Sequence, residues 1–371
     1  MKRLAHVDTM KAIGIVLVVA GHSPGLSAMA KSFIYAFHMP LFFFISGLLL
    51  PERKLSASGR EHLASLRRGL GVPYLFFFAL SYLYWLPAHG LTARASRYEE
   101  LAWWEPLIGV AIGNGDALFV NVTLWFFTCL FTASLIFFWA RKRFSPAFLF
   151  VAFNLAAFAF TLAHDRSWMR LPWGLDNAII ALAFYSTGHV FRAWQTRIVE
   201  KTPTPTALTL ALTAAAGLAW LAAFNGETDL NKLDFGRREY LYLANAYLGI
   251  GAIFCLSIVL PAQAVSEWLA KNTIIIFPTH LLLFGVFTGV GVMAFGLPHA
   301  FKESSPLWTV LFPVLALSLS YSGALLLRRF FPAVFGGRPR RAESPGDSGR
   351  ASAGGESGGP GCRAAGQSGV S

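Results

Sequence analysis

The chain has 371 residues, of which 55% are hydrophobic and only 13% are charged. With 34 phenylalanines and 11 tryptophans, this composition exceeds what a soluble domain can bury, and it excludes a soluble globular protein. The formal net charge of +12 is explained by lysine and arginine on the inner face of a membrane protein. The lipid bilayer is therefore the expected partner, and no nucleic-acid partner is expected.

Ten apolar runs are long enough to cross a bilayer, and helices are the expected state because lipid offers no partner to backbone groups. We place them at residues 10–26, 32–50, 70–88, 118–139, 147–163, 173–192, 205–224, 240–260, 272–297 and 307–327. Most lysines and arginines fall in inside segments when both termini are cytoplasmic. The sequence predicts an all-α, polytopic integral membrane bundle of about ten transmembrane helices with both termini cytoplasmic.

The composition divides the chain into two parts. We expect residues 1–335 to form one transmembrane domain. Residues 336–371 are rich in Gly, Ser, Arg and Pro and nearly devoid of large apolar residues, which predicts a disordered cytoplasmic tail. The three cysteines are dispersed and no Cys/His cluster is present, so no metal is expected.

The first span carries its ionisable residues on one face. At about 100° per residue, His22 returns to within about 20° of Lys11, and Asp8 lies within about 60° of both. Ionisable groups are costly inside a bilayer, which indicates a function. His22 is a candidate general base, because imidazole exchanges a proton near neutral pH. The structural alternative is that Lys11 snorkels to the surface and His22 lies among the headgroups.

Further polar residues fall at the predicted outer ends of later spans. His38 begins the second span, Asn121 and Trp125 open the fourth, and Asp176 opens the sixth. A sugar site uses hydrogen bonds to hydroxyls and a ring for stacking, so we predict that these residues bind substrate. The alternatives are an interfacial histidine at position 38 and helix N-capping by Asp176.

Three more residues belong to the predicted site. His280 follows Pro278 in the ninth span, where we expect a distorted helix, a freed carbonyl and either a substrate cavity or a helix contact. Arg67 and Arg68 precede the third span on the cytoplasmic side, where guanidinium groups suit the phosphates of a nucleotide-like donor. Simple anchoring at the membrane surface is the alternative for both arginines.

Several of these segments resemble the acyltransferase 3 family of integral membrane acyltransferases, most closely its fucose 4-O-acetyltransferase-like branch. The resemblance covers roughly residues 5 to 330, and the order of its motifs along the chain is specific. The motifs are Lys11 followed by His22, FHMPLFFFISG from Phe37, LWFF from Leu124, FYSTG from Phe184, and Asn272-Thr273 followed by His280.

The resemblance implies transfer of an acyl group, by default acetyl from cytoplasmic acetyl-CoA, to a hydroxyl of an envelope or secreted carbohydrate. The acceptor would lie outside the membrane or be lipid-linked, and no metal would take part. The family's essential histidine falls on His22 and its basic partner on Lys11, where many members have arginine. Its cytoplasmic Arg-x-x-Arg pattern is replaced here by the adjacent Arg67 and Arg68. A multi-pass protein of a bacterial inner (plasma) membrane is the expected location.

Two other functions remain open from the sequence. A non-enzymatic carrier or flippase for a glycan or lipid-linked sugar would also need inward polar faces and an aromatic outer mouth. Such transporters more often show two related halves, and no internal repeat is evident in this sequence. A membrane sensor that kept the fold without activity is the third possibility, and the Lys11–His22 pair argues against it.

Overall fold

The described part of the chain is built from α-helices. The computed structural model describes residues 4–88, 102–260 and 262–335, and within these ranges it contains no β-strand. The helices belong to one compact unit, Met1–Gly337. In chain order they are α1 Ala5–Gly21, α2 Ala28–Tyr35, α3 His38–Leu48, α4 Glu52–Leu55, α5 Gly59–Leu66, α6 Val72–Ala88, α7 Glu105–Ile112, α8 Trp125–Arg141, α9 Pro146–Ala163, α10 Leu175–Phe191, α11 Gln195–Lys201, α12 Thr204–Asn225, α13 Tyr242–Val259, α14 Ala264–Phe295 and α15 Pro306–Phe330.

Length and hydropathy identify the membrane-spanning helices. Among the described residues, 8 helical stretches are long and apolar enough to cross a membrane. Two further apolar helices, α1 and α10, have 17 residues each and occupy the positions of the predicted first and sixth spans. At about 1.5 Å per residue they are about 26 Å long, near the lower limit for crossing the hydrocarbon core. The predicted fold class, a polytopic membrane bundle of helices, is confirmed.

The membrane orientation stays a prediction, and the predicted tail, residues 336–371, lies outside the described residues. The structure does place the predicted cytoplasmic segments together. Near the start of α1, His6 Nε2 lies 2.9 Å from Oε1 of Gln195. Beyond its other end, Ser23 donates a hydrogen bond to the carbonyl of Thr309. The two ends of α1 therefore contact segments that the charge distribution assigns to opposite sides.

The helices divide into inner and outer sets. The stretches that contain α3, α8 and α13 are mostly buried within the protein, whereas α9, α12 and α15 are mostly exposed on its surface. Most residues of α1 and α10 are also buried. An exposed apolar helix surface is what a hydrocarbon environment requires, and the inner helices carry most of the predicted site residues.

Proline and glycine explain where the first two spans differ from their predicted bounds. α1 ends at Gly21 rather than near residue 26, because Pro24 cannot donate a backbone hydrogen bond and Gly25 has a left-handed φ of 70°. The predicted second span is two helices, α2 and α3, separated at Phe37, whose φ and ψ are −143° and −15°. Pro40 cannot extend α2 but is tolerated in the first turn of α3.

The third and ninth spans begin earlier than predicted. The third starts at Gly59 rather than residue 70, and it passes through a π-helical turn at Arg67–Gly71. This wider turn accommodates Pro73, which cannot bond to the carbonyl one turn earlier. The ninth starts at Ala264 rather than residue 272, and it continues as one helix through Pro278. The predicted distortion at Pro278 therefore does not interrupt α14.

Two glycines allow α3 and α10 to cross at close range. A Cβ atom added at Gly188 would lie 2.0 Å from the carbonyl oxygen of Phe44, and one added at Gly47 would lie 1.9 Å from that of Tyr185. Small residues at such crossings let helix backbones approach closely in membranes. This crossing fixes α3, and with it His38, against the centre of the bundle.

Replacing Gly188 by alanine is expected to lower the free energy of unfolding by about 1–3 kcal/mol, because a backbone atom must move to admit the methyl group. Gly251→Ala on α13 is the matched control, since no atom lies within 4 Å of an added Cβ there. Removing a helical glycine at that position is expected to be neutral or to stabilise by up to about 1 kcal/mol. Thermal unfolding in detergent measures both, and equal melting temperatures for the two variants would contradict the close crossing.

Candidate active site

Three histidines meet at the predicted outer end of the bundle, and we call them the histidine cluster. His22 follows the last turn of α1, His38 is the first residue of α3, and His280 lies within α14. The ring centroids of His22 and His280 are 5.1 Å apart. His38 is 4% exposed and His280 is fully buried. The fold therefore brings together three histidines that are far apart in the sequence.

Tyr35, the last residue of α2, joins two of these histidines. Its hydroxyl oxygen lies 3.1 Å from Nδ1 of His22. Its ring centroid lies 4.8 Å from that of His38 and 5.7 Å from that of His22. One turn earlier, Lys31 lies 5.4 Å from the centroid of the Tyr35 ring and forms an ion pair with Glu227. Tyr35 is therefore part of the site, although the sequence analysis did not select it.

Backbone carbonyls fix the tautomers of two histidines in the cluster. Nδ1 of His38 donates to the carbonyl of Ile34 at 2.9 Å, and Nδ1 of His280 donates to that of Phe277 at 2.6 Å. A carbonyl can only accept, so each neutral ring presents a lone pair at Nε2. Nε2 of His280 is buried and has no hydrogen-bond partner among the described residues. A substrate proton is one group that could complete it.

The three histidines do not form part of a metal-binding group in the part of the chain that the structure describes. Within residues 4–88, 102–260 and 262–335, no group of three or more His, Cys, Asp or Glu side chains is arranged to hold a metal ion.

Asn121 contacts the backbone of α14 close to His280. Its amide nitrogen donates to Oγ of Ser81 at 2.9 Å and to the carbonyl of Pro278 at 2.8 Å. Its amide oxygen accepts from the hydroxyl of Thr123 at 2.6 Å. Asn121 thus ties α6 to α14 two residues before His280. Its contacts give it a positioning role, and direct contact with substrate stays a prediction.

Trp125 is packed in the aromatic core rather than placed at an open mouth. Its side chain is 5% exposed, and its ring centroid lies 6.4 Å from those of Phe43 and Phe126. Phe126 in turn lies 5.2 Å from Phe277, three residues before His280. The observed contacts give Trp125 a packing role, and its predicted part in sugar stacking stays a prediction.

Asp176 belongs to a separate buried network. Nε of Arg170 donates to its carboxylate at 2.6 Å, and the backbone N–H of Asn177 donates to it at 2.9 Å. The same guanidinium donates to the carbonyl of Asn231 at 2.9 Å. Asp176 therefore holds Arg170, which holds the loop of residues 226–238. The N-cap of α10 is Gly174, without a side-chain hydrogen bond, and contact of Asp176 with a sugar stays a prediction.

Asp8 and Lys11 lie on α1 with His22, and both are partly exposed. Eleven residues of helix correspond to about 16 Å of rise, so Lys11 lies about three turns from His22, and Asp8 lies further away. Neither side chain reaches the histidine cluster. Both lie toward the end of α1 that the charge distribution assigns to the cytoplasm.

Arg68, one of the two predicted donor-binding arginines, lines a cleft. Arg67 and Arg68 are both exposed and occupy the π-helical turn. Arg68, together with Ile274 and Phe335, lines a cleft of about 720 Å³ between α5, α14 and the end of α15. The cleft is open to the surroundings, and the carboxylate of Glu61 lines it as well as the guanidinium of Arg68. Ile274 is six residues before His280 on α14, which corresponds to about 9 Å of helix rise.

The fold is that of a multi-pass membrane protein, and its histidine cluster combines the buried His38 and His280 with the partly exposed His22. The acyltransferase 3 family model, described as an acyltransferase domain, matches residues 4–327. The chain therefore belongs to this family of membrane acyltransferases. No curated protein and no solved structure matches the chain. The match does not distinguish branches, so the fucose 4-O-acetyltransferase-like assignment stays a prediction.

The sequence analysis missed residues whose importance depends on tertiary contacts. Tyr35 and Arg170 acquire their roles only when distant segments pack, and no spacing signal marks either. Asn245 could have been found, since it is an amide inside the apolar run of the eighth predicted span. Ionisable and amide groups in such runs deserve the same weight as histidines.

Loop residue Asp229 provides a pH-dependent test of this outer loop. Burial raises the pKa of its carboxyl group, with Lys232 opposing the shift. The folded state therefore favours the protonated carboxyl group, and the free energy of unfolding falls as the pH rises through the raised pKa. We expect the melting temperature of Asp229→Asn, relative to wild type, to increase between about pH 4 and pH 7.

Asp165 is the control of opposite sign. It lies on an exposed loop, and the backbone N–H of Ser167 lowers the pKa of its carboxyl group. The melting temperature of Asp165→Asn, relative to wild type, is expected to fall over the same pH range. Parallel behaviour of the two variants would contradict the burial of Asp229.

Proposed function

We propose that this protein is a membrane O-acyltransferase that moves an acyl group, by default acetyl, from cytoplasmic acetyl-CoA to a hydroxyl of a carbohydrate. The observation that carries the proposal is the histidine cluster, because an acceptor hydroxyl must lose a proton as it attacks a thioester. Membership of an acyltransferase family supports the reaction class. The acetyl donor and the sugar acceptor rest on the resemblance described above.

His22 is the proposed general base. In the tautomer that can act as a base, Nδ1 of His22 donates to the hydroxyl oxygen of Tyr35, and Nε2 holds a lone pair. Nε2 accepts the acceptor's hydroxyl proton while the oxygen attacks the thioester carbonyl. The carbon–sulfur bond then breaks, and the imidazolium returns the proton to the departing CoA thiolate. His280, with its free Nε2, is placed to share this proton or to orient the hydroxyl.

The cleft beside Arg68 is the proposed entrance for the donor. A guanidinium group binds phosphate oxygens through charge-assisted hydrogen bonds, as a CoA nucleotide requires. α14 connects the cleft with the histidine cluster, since Ile274 lines the former and His280 belongs to the latter. A donor whose nucleotide stays in the cleft would need to extend its thioester toward His280 along this helix.

Asp8 and Lys11 are proposed to support the cytoplasmic part of the same path. They share a helix with His22 and lie about 16 to 21 Å of helix rise from it, so they act on the donor side and not on the reacting hydroxyl. Lysine keeps the positive charge found in the family but lacks the two-pronged geometry of arginine. We therefore assign Lys11 an electrostatic role rather than a bidentate grip.

The acceptor is proposed to be an envelope or secreted carbohydrate, or a lipid-linked sugar, and the location a bacterial inner (plasma) membrane. The histidine cluster lies at the end of α1 that the charge distribution assigns to the outside. An acceptor on that side and a donor on the cytoplasmic side would meet within the bundle. A fucose 4-O-acetyltransferase-like acceptor preference is the form of this proposal that the sequence motifs favour.

Removing the base is expected to abolish transfer while leaving the protein folded. Relative to wild type, His22→Ala should lower transfer of radiolabelled acetyl from acetyl-CoA to carbohydrate by about 10²–10⁴-fold. The measurement uses membranes with matched expression. His164→Ala is the control, because that histidine lies beyond α9, outside the cluster, and transfer should be unchanged.

Each other result of this assay has a defined meaning. Equal transfer by wild type and His22→Ala would remove His22 from the chemistry. Export of an unmodified glycan without label transfer, and with sensitivity spread over several polar residues, would favour the carrier function instead.

The two arginines of the π-helical turn form a matched pair for the donor site. Arg68→Ala is expected to raise the KM for acetyl-CoA about tenfold, because one charge-assisted hydrogen bond to phosphate is lost. Arg67→Ala removes the same charge from a neighbouring position that does not line the cleft, and its KM should change less than twofold. Equal effects of the two substitutions would indicate surface electrostatics rather than a site in this cleft.

A further inference from the structure

Two polar side chains on α13 are buried without partners. The hydroxyl of Tyr242 and both amide atoms of Asn245 have no hydrogen-bond partner among the described residues. Both residues are fully buried. They are three residues apart on a helix, which places them on the same face. An unpaired polar group in an apolar interior costs free energy, so each requires an explanation.

Comparable polar side chains in the same region of the protein have hydrogen-bond partners. The hydroxyl of Tyr247, also on α13, donates to Oδ1 of Asn154 at 2.5 Å and lies 2.8 Å from the hydroxyl of Thr187. The amide of Asn225 donates to one backbone carbonyl and accepts from the N–H of Arg238, each at 2.8 Å. Tyr242 and Asn245 therefore differ from Tyr247 and Asn225, which are comparable side chains with partners.

The helix that carries the unpaired groups packs against the residue that precedes His38. Phe37, which precedes His38, packs so tightly against Gly249 that an added Cβ there would lie 2.1 Å from its ring. Gly249 is one helical turn from Asn245 on the same face of α13. The buried N-terminal half of α13 thus lies beside Phe37, the residue before the start of α3.

The loop of residues 226–238 closes over this face. The ring of Phe235 packs at 5.0 Å from that of Tyr242. The carboxyl group of Asp229 interacts electrostatically with the hydroxyls of both Tyr35 and Tyr242. Thr228, beside Asp229, is 1% exposed and its hydroxyl also lacks a partner among the described residues. The loop that carries the unpaired hydroxyl of Thr228 therefore packs against Tyr242, and its Asp229 interacts with Tyr35.

We propose that Tyr242, Asn245 and Thr228 form the acceptor subsite and bind adjacent hydroxyl groups of a carbohydrate ring. This inference rests on the proposed function, because it assigns the acceptor of the same histidine cluster. A carboxamide offers a donor and an acceptor side by side, which matches two neighbouring hydroxyls. The hydroxyl groups of Tyr242 and Thr228 complete the subsite. Because all of these side chains are uncharged, they suit an uncharged polyol rather than a phosphate.

The subsite is closed in this structure, so binding requires the loop to move. Gly226 and Gly236 near its ends have left-handed φ values of 84° and 90°. The Lys31–Glu227 ion pair, which fastens the loop to α2, is partly exposed to solvent. When a sugar binds, its hydroxyl groups would form hydrogen bonds with the side chains that are unpaired in the closed structure.

The test compares Tyr242→Phe and Asn245→Leu with Tyr247→Phe in the full chain, reconstituted in nanodiscs. The probes are methyl α-fucoside, methyl α-glucoside and methyl α-mannoside, with radiolabelled acetyl-CoA as donor. We expect both subsite variants to raise the acceptor KM at least tenfold, with the KM for acetyl-CoA within twofold of wild type. Their melting temperatures should equal or exceed that of wild type, because no protein hydrogen bond is lost.

Tyr247→Phe should show the opposite pattern, with a lower melting temperature and an unchanged acceptor KM. A fall in the melting temperatures of the subsite variants like that of Tyr247→Phe would overturn the proposal, as would unchanged acceptor KM values.

A second measurement separates this proposal from the proposed function. If wild type transfers acetyl to none of the three glycosides, the melting temperature is measured with and without each glycoside. A rise in wild type that Asn245→Leu abolishes would support a polyol subsite even though the proposed transfer reaction had failed. The absence of any rise would overturn the subsite.

Discussion

A polar side chain inside a membrane bundle must find its hydrogen-bond partner within the protein or in a ligand, because the hydrocarbon supplies none. Most of the buried polar groups described above obey this constraint through protein contacts. Asn121 bonds to Ser81 and to the carbonyl of Pro278, and Asp176 is paired with Arg170. These residues hold helices and a loop in place.

Some buried polar groups do not obey this constraint, and they include groups in the histidine cluster and on α13 as well as others elsewhere, such as Nε2 of His62 and Nδ1 of His189. Nε2 of His280, the hydroxyl of Tyr242 and the amide of Asn245 are all buried and unpaired among the described residues. Each would be satisfied by a hydroxyl-bearing substrate, as a proton source in the first case and as a hydrogen-bonding ring in the others. The free energy that these unpaired groups cost the folded protein would therefore be regained when an acyl acceptor binds.

Much of the fold follows from the sequence, because hydropathy and length identify helices in a bilayer without tertiary information. The errors lie at helix ends. Gly59–Leu66 is too polar to read as a span, although Ser58 and Glu61 form a capping box that marks the true start of the helix. The break at Phe37 is also predictable from the sequence, since Pro40 cannot continue the preceding helix.

The site was less accessible to sequence reasoning. His22, His38 and His280 were selected because imidazoles in apolar spans are unusual, and the structure brings all three together. The partners of Asp176 and the position of Tyr35 depend on packing between distant segments, which no periodicity encodes. Arg67 and Arg68 are adjacent charges that the sequence alone does not distinguish. In the structure both lie in the π-helical turn, and Arg68 lines the cleft.

The central claim is that donor and acceptor meet at the histidine cluster, with the donor entering through the cleft beside Arg68. The most direct measurement is a structure of the protein bound to a non-hydrolysable acetyl-CoA analogue in which a methylene group replaces the thioester sulfur. We expect the nucleotide in the cleft at Arg68 and the acyl carbonyl beside His22 and His280. An acyl group bound away from the histidines, or a nucleotide outside the cleft, would contradict this account.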